Sequence, residues 1–334
     1  MRVKLGDVCE RGTSNLKLSD VSEKNGEFSV FGASGYIGSV DFYQQGYPYV
    51  AVVKDGAGIG RAMLCPGKTS VIGTMQYLLP KDNILPKYLF YVVKYMNLEK
   101  YFTGATIPHI YFKDYKNEEF NFDFWERQVE IVSVLSKCEK VIDLCKQELQ
   151  LLDKLIKARF VELFGDPVSN SYGLPEATLP DLGEFGRGVS KHRPRNDIKL
   201  LGGKYPLIQT GDVANAGLYI TSYSSTYSEL GLKQSKMWDK GTLCITIAAN
   251  IAKTAILEFD ACFPDSVVGF IANERTNNIF VHYWFSFFQA ILESQAPESA
   301  QKNINLKILS ELKVIVPEKR KQDQFASFVK LTDK

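Results

Sequence analysis

The landmarks of this chain occur twice, in the same order. Val3-Lys4-Leu5-Gly6-Asp7-Val8, followed by Glu10-Arg11-Gly12, returns as Ala177-Thr178-Leu179-Pro180-Asp181-Leu182, followed by Glu184-Phe185-Gly186-Arg187-Gly188. Ser70-Val71-Ile72-Gly73 returns as Ser266-Val267-Val268-Gly269, an offset of 196 (266 − 70). Phe124-Trp125-Glu126-Arg127-Gln128 returns as Glu318-Lys319-Arg320-Lys321-Gln322, an offset of 194 (322 − 128). A shared order at nearly constant offset predicts two copies of one domain. The 334 residues suffice for two separate cores.

Within each copy the pattern is mixed. Tyr49-Val50-Ala51-Val52-Val53 and Thr242-Leu243-Cys244-Ile245-Thr246-Ile247 have strand length and β-rich composition. Pro86–Tyr95 and Val281–Phe288 predict a helix in each copy, and an apolar strand closes each, at Phe120–Phe122 and at Val314–Pro317. The expected class is α+β, with a largely antiparallel or mixed sheet in each of two similar domains.

Between the copies runs the clearest helix, from about Glu126 to Phe164. Ile131, Leu135, Cys138, Ile142, Cys145, Leu149, Leu152 and Ile156 keep the four–three spacing of a coiled-coil seam. Gly165 suits its C-terminal cap and Pro167 stops it. At 1.5 Å per residue it is roughly 57 Å long, more than one compact core requires. Adding 194 to Ile131 and Leu135 gives Phe325 and Val329, so a second helix begins in the same register. Its short run to Lys334 is expected to shield Leu149 to Ile156 and to leave Ile131 to Ile142 bare. That predicts a truncated chain, self-association or another polypeptide on the seam. The expected division is 1–125 and 166–317 for the two domains, 126–165 for the spacer, and 318–334 for the shortened second helix.

Several chemistries find no support. The six cysteines form no C-x-x-C pair and have no neighbouring histidine, so reduced and mostly buried thiols are expected and no metal site is assigned. No apolar run reaches membrane-spanning length, and the opening residues lack the apolar stretch of a signal peptide, so a cytoplasmic location is expected. Gly56-Ala57-Gly58-Ile59-Gly60-Arg61 misses both nucleotide-binding fingerprints, and the matching Asn250-Ile251-Ala252-Lys253 has no glycine, so a strand-to-strand turn is expected. Asp265 with Glu311 and Lys313 echoes a metal-dependent nuclease, which leaves a bifunctional nuclease as one alternative and a scaffold that never touches DNA as another. His109, His192 and His282 stand beside no nucleophile motif.

The net charge of +2 is uninformative, but its distribution is not. Arg187, Lys191, His192, Arg193, Arg195, Lys199 and Lys204 crowd one Gly- and Pro-punctuated stretch, opposed only by Asp197. Such a run is either a solvated face or a set of phosphate contacts. Gly104–Ile110 and Ala300–Asn305 hold equivalent places before the last strand yet differ in sequence. Differing loops on one scaffold suit the reading of two different half-sites. The candidates for phosphate contact are Lys54, Arg61, Lys191, Arg193, Arg195 and Lys253. Those for base reading are Gln209, Asn250, Gln301, Lys302 and Asn303.

Two divergent α+β domains, each closed by a strand and a Gln-containing helix start, resemble the DNA specificity subunit of type I restriction–modification systems. Lys157–Pro167 looks like the end of that family's central helix, Leu5–Val8 and Leu179–Leu182 like its domain openings, and Gln301–Ile304 like its pre-strand loop. The resemblance implies two target recognition domains reading a bipartite duplex sequence. It implies helices that fix the gap and dock methyltransferase subunits, with a restriction–translocase subunit joining them. S-adenosylmethionine, ATP and Mg²⁺ would then belong to the partners, with no cofactor and no catalytic residue in this chain. Thr106-Ile107-Pro108-His109 and the short final helix depart from the family pattern.

Overall fold

The computed structural model describes residues 1–21, 26–104, 108–248, 251–295 and 304–332. The chain divides into two units, Met1–Cys145 and Lys146–Lys334. Unit one contains β1 (Arg2–Lys4), β2 (Cys9–Thr13), β3 (Phe28–Gly32), β4 (Gly35–Val40), β5 (Tyr49–Val53), β6 (Ala62–Cys65), β7 (Ser70–Val71), β8 (Met75–Pro80) and β9 (Glu119–Asn121). Its main sheet has the order β2-β8-β5-β6, and a smaller sheet has the order β4-β3-β7. Every residue of β5 is buried, as its unbroken apolar run requires. The helix Pro86–Met96 packs Leu89 and Val93 onto this sheet, beside Val50, Val52 and Leu78.

Unit two contains β10 (Glu176–Ala177), β11 (Gly183–Arg187), β12 (Leu201–Leu207), β13 (Tyr219–Ile220), β14 (Ser225–Tyr227), β15 (Met237–Trp238), β16 (Leu243–Thr246), β17 (Thr254–Leu257), β18 (Ala261–Cys262), β19 (Val267–Ala272) and β20 (Val314–Ile315). Its main sheet has the order β11-β19-β16-β17-β13, and its smaller sheet β14-β12-β18-β15. Stripped of the edge strands β13 and β15, both orders repeat those of unit one. Each unit is closed by a two-stranded antiparallel ladder, β1 with β9 and β10 with β20. Each opens with an aspartate that accepts a backbone N–H three residues back, Asp7 from Lys4 at 3.0 Å and Asp181 from Thr178 at 3.0 Å.

Strand pairing corrects one of the three sequence offsets. Val50 faces Leu64 and Leu78, while Leu243 faces Ile256 and Phe270, so β5 maps onto β16 at 193 (243 − 50) and its neighbours β6 and β8 onto β17 and β19 at 192 (256 − 64; 270 − 78), not 196. Ser70 and Val71 form β7 beside β3, whereas Val267–Gly269 enter β19, the counterpart of β8. Four small and β-branched residues recur by chance where strands begin, and their identity carries no register.

The helix Trp125–Phe164 is continuous over 40 residues. Its first turns belong to unit one, where Ile131 and Val132 pack half-buried against the core. Its last turns are the centre of unit two. Phe160 stacks on Phe280 with ring centroids 5.3 Å apart and meets Phe325 edge-on at 5.3 Å, while Phe164 lies 5.1 Å from Phe280. The helix Lys319–Thr332 therefore buries Phe325 and Val329 completely, as their register predicts.

The shielded stretch lies further along than expected. It covers Ile156, the last position of the seam, and the aromatic Phe160 and Phe164 that follow it at four-residue spacing beyond the seam, and leaves Leu149 61% exposed with Leu152 half-buried. The large rings of the stripe fill more volume than the heptad positions offer, so the core forms there. Ile131 is half-buried rather than bare.

Candidate nucleic-acid interface

In unit one β5 and β6 form a hairpin whose connection, Lys54 to Arg61, is eight residues long and holds two phosphate-contact candidates. Ile59 turns inward, and Gly60 has a left-handed φ of +79°; a Cβ there would lie 2.4 Å from the Glu99 nitrogen, so a side chain does not fit. The Gly60 N–H returns to the Val53 carbonyl at 2.8 Å. Unit two builds the same loop without glycine at this place: Ala252 has φ +57°, and its N–H reaches the Thr246 carbonyl at 2.9 Å. Arg61 and Lys253 therefore occupy equivalent positions (253 − 61 = 192).

Their surroundings differ. Arg61 is exposed and folds its guanidinium over Gly58. Lys253 is half-buried, gives a hydrogen bond to the Gln289 amide oxygen at 3.3 Å, and lines a cavity of about 330 Å³ with Asp153, Lys157 and His282. Lys54 is half-buried and paired with Asp55, which also accepts from His109 Nδ1 at 2.7 Å. The His109 N–H and carbonyl are both bonded to Thr103, each at 2.8 Å.

In unit two Lys191, Arg193 and Arg195 are exposed on the loop after β11. Arg193 pairs with Asp265 at 3.4 Å, gives a bond to the His192 carbonyl at 2.9 Å, and also bonds the Ser190 carbonyl; Arg195 pairs with the same Asp265. The Asp197 carboxyl lies below the usual carboxylate range, through the Lys199 N–H first and the His192 ring second. Gln209 is exposed, and its own N–H closes onto Asp212 at 2.7 Å, which starts the short helix Thr210–Asn215. The base-reading candidates Asn250, Gln301, Lys302 and Asn303 lie outside the described residues.

Two signals were missed in the sequence. Asp265 is the shared counter-ion of two arginines, which accounts for its place without catalysis and leaves the nuclease reading of Asp265, Glu311 and Lys313 unsupported. Glu311 pairs with Lys307 at 3.7 Å on its own helix. Among the described residues no group of three or more His, Cys, Asp or Glu could hold a metal ion. The Asp55–His109 pair was also missed, because its partners are 54 positions apart and only the hairpin brings them together.

The duplicated architecture is matched from outside. A family model described as the type I restriction modification DNA specificity domain matches residues 1–154 and again 176–334. The chain belongs to that family. The MjaX type I restriction enzyme specificity subunit of Methanocaldococcus jannaschii is 22% identical over 292 residues, 82% of this chain and 68% of that protein. The MjaIX specificity subunit of the same organism is 26% identical over 179 residues, 48% of this chain and 40% of that protein. The crystal structure of a type I restriction–modification S subunit from M. genitalium has a TM-score of 0.64 at 17% identity, covering 100% of this chain and 89% of that one. That likeness is one of fold.

For a specificity-family chain the middle of the helix is the notable surface. Val141, Ile142, Leu144, Leu149 and Leu151 are each more than half exposed, and Cys138 and Cys145 are exposed beside them. Among the described residues no helix is long and apolar enough to cross a membrane.

Proposed function

We propose that this chain is the DNA specificity subunit of a type I restriction–modification complex, each unit reading one half of a bipartite duplex target. The observation that carries this reading is the double family match, one match on each of two sheets of the same order. Two copies of one reader with different surface loops recognise two different short sequences. A helix of 40 residues, ~60 Å at 1.5 Å per residue, is the spacer that sets the gap. Lys54, Arg61, Lys191, Arg193, Arg195 and Lys253 hold register on phosphates, while loop side chains discriminate bases.

The exposed apolar band of the helix docks the methyltransferase subunits, and a restriction–translocase subunit joins that assembly. Transfer of a methyl group from S-adenosylmethionine to adenine, and ATP- and Mg²⁺-driven cleavage, are the work of those partners. The complex acts on DNA in the cytoplasm. Methylome sequencing of the source cells tests the reading: a gapped two-part methylated motif is expected, and it disappears when this gene is deleted. A motif that survives the deletion, or a continuous one, overturns the assignment.

A further inference from the structure

The loop before β9 differs between the two copies, yet both hang it from the same point. The Ile110 N–H goes to the Lys54 carbonyl at 2.9 Å, and the Ile304 N–H goes to the Ile247 carbonyl at 3.0 Å. In unit one three further backbone bonds fasten the end of that loop. Thr103 and His109 exchange two, each at 2.8 Å, and the Gly56 N–H holds the Pro108 carbonyl at 2.9 Å. His109 thus sits on a rigid base at the tip of the main sheet, the requirement for a side chain that must discriminate at sub-ångström precision.

Its ring is fixed as well. Nδ1 lies 2.7 Å from Asp55 Oδ1, and the other Asp55 oxygen is engaged by Lys54. Tyr111 stacks beside the ring at a 23° interplanar angle, itself 49% exposed, with the Lys113 ammonium 5.4 Å above it. In the neutral ring, an Nδ1–H given to the carboxylate leaves the lone pair on Nε2. Nε2 has no hydrogen-bond partner among the described residues, and the side chain is 35% exposed. An ordinary surface histidine holds neither a fixed tautomer nor a fixed plane.

We infer that His109 is a base-reading residue of unit one, presenting Nε2 as an acceptor to an exocyclic amino group, and that Asp55 is its positioning residue. In the major groove only adenine N6 and cytosine N4 offer such a donor, so His109 selects adenine or cytosine over guanine or thymine at the strand position it faces. Lys54, engaged with the other Asp55 oxygen, and Lys113, over the Tyr111 ring, bring positive charge to the same corner, as contact with a neighbouring phosphate requires. Tyr111 braces the ring from one face. The inference rests on the reading of unit one as a DNA reader and names one position in that reading.

The test is methylome sequencing of source cells whose chromosomal gene carries His109→Ala or Asp55→Asn. The variants are compared with wild type for the frequency of methylation at every near-cognate site. His109→Ala is expected to reduce discrimination at one base pair of one half-site by roughly tenfold, the loss of a single directed hydrogen bond. Asp55→Asn is expected to weaken discrimination at that same base pair, while the other half-site and the gap stay as in wild type. Soluble yield and thermal midpoint of the purified chain check folding in parallel. A His109→Ala motif identical to wild type overturns the inference, as does equal relaxation in both half-sites. A wild-type strain with no two-part motif overturns the underlying functional reading instead, so the two failures are distinct.

Discussion

Gln128 and Gln322, 194 positions apart, are both wholly buried, and each amide accepts one hydrogen bond and donates two to backbone carbonyls. The Gln128 amide accepts from the Leu85 N–H at 2.9 Å and donates to the Asn83 carbonyl at 3.0 Å and the Asp123 carbonyl at 2.9 Å. The Gln322 amide accepts from the Thr276 hydroxyl at 2.8 Å and donates to the Arg275 carbonyl at 3.0 Å and the Pro317 carbonyl at 2.8 Å. In each unit one glutamine ties the start of the helix it belongs to, Trp125–Phe164 or Lys319–Thr332, to the loop that launches another helix. Replacing either by Ala strands buried donors and acceptors, so each variant is expected to lose about 3 kcal/mol. Urea unfolding checks this, and losses under about 1 kcal/mol would show that water replaces the amide.

The burial of cysteines gives a prediction about the helix. Desolvation pushes the Cys9 thiol up to about 12 and Cys65 to about 11, and it also raises Cys244 and Cys262. Cys138 and Cys145 are exposed on the apolar band. A thiol reagent at neutral pH is therefore expected to modify two of the six cysteines in the folded chain and six in denaturant. Adding the methyltransferase subunit should protect both. Unchanged labelling in a formed complex would place the docking surface elsewhere.

Much of this architecture was readable beforehand, and the reason is locality. Helix periodicity is set by neighbours three and four residues away, so the long helix and the buried register of Phe325 and Val329 followed from spacing alone. Sheet register depends on residues far apart, and there the motif offset of 196 misled while the pairing gives 193 (243 − 50) and 192 (256 − 64). The match between the loops ending at Arg61 and Lys253 was legible in the sequence, but an alanine gives no sign that Ala252 takes the positive φ of Gly60. Asp265 resembled a catalytic carboxylate because its arginine partners lie 72 and 70 positions away (265 − 193; 265 − 195).

His282 makes stability depend on pH. Burial pushes its ring down to about 4, with Asp153 opposing this and Lys157 adding to it, and Nδ1 is bonded to the Thr254 hydroxyl at 2.9 Å. The unfolded ring takes its proton near pH 6.5. Between these values the unfolded chain holds more protons, so stability is full above pH 6.5 and falls as pH drops toward 4. The cavity opens to water, which limits the loss to roughly 2 kcal/mol. His282→Asn keeps an acceptor for Thr254 and should flatten this part of the profile, measured as urea midpoints from pH 7.5 to 4. Parallel profiles for the two proteins would remove His282 from the account.

Asp265 decides how much positive charge unit two shows to DNA. Its carboxylate holds Arg193 and Arg195, both about half exposed, so on binding each arginine must divide its charge between Asp265 and a phosphate. Asp265→Asn is expected to strengthen binding of the assembled complex to every duplex by roughly 3- to 10-fold at low salt and to steepen its salt dependence, because two less neutralised guanidiniums release more counterions. Arg193→Ala should act oppositely, weakening all sequences alike and lowering the log–log salt slope by about 1. Neither change should alter the methylated motif, since phosphate contacts carry no base information. Affinity titrations over a range of salt concentrations separate this role from catalysis. A catalytic carboxylate would make Asp265→Asn lose Mg²⁺-dependent nicking and leave the salt slope where it was.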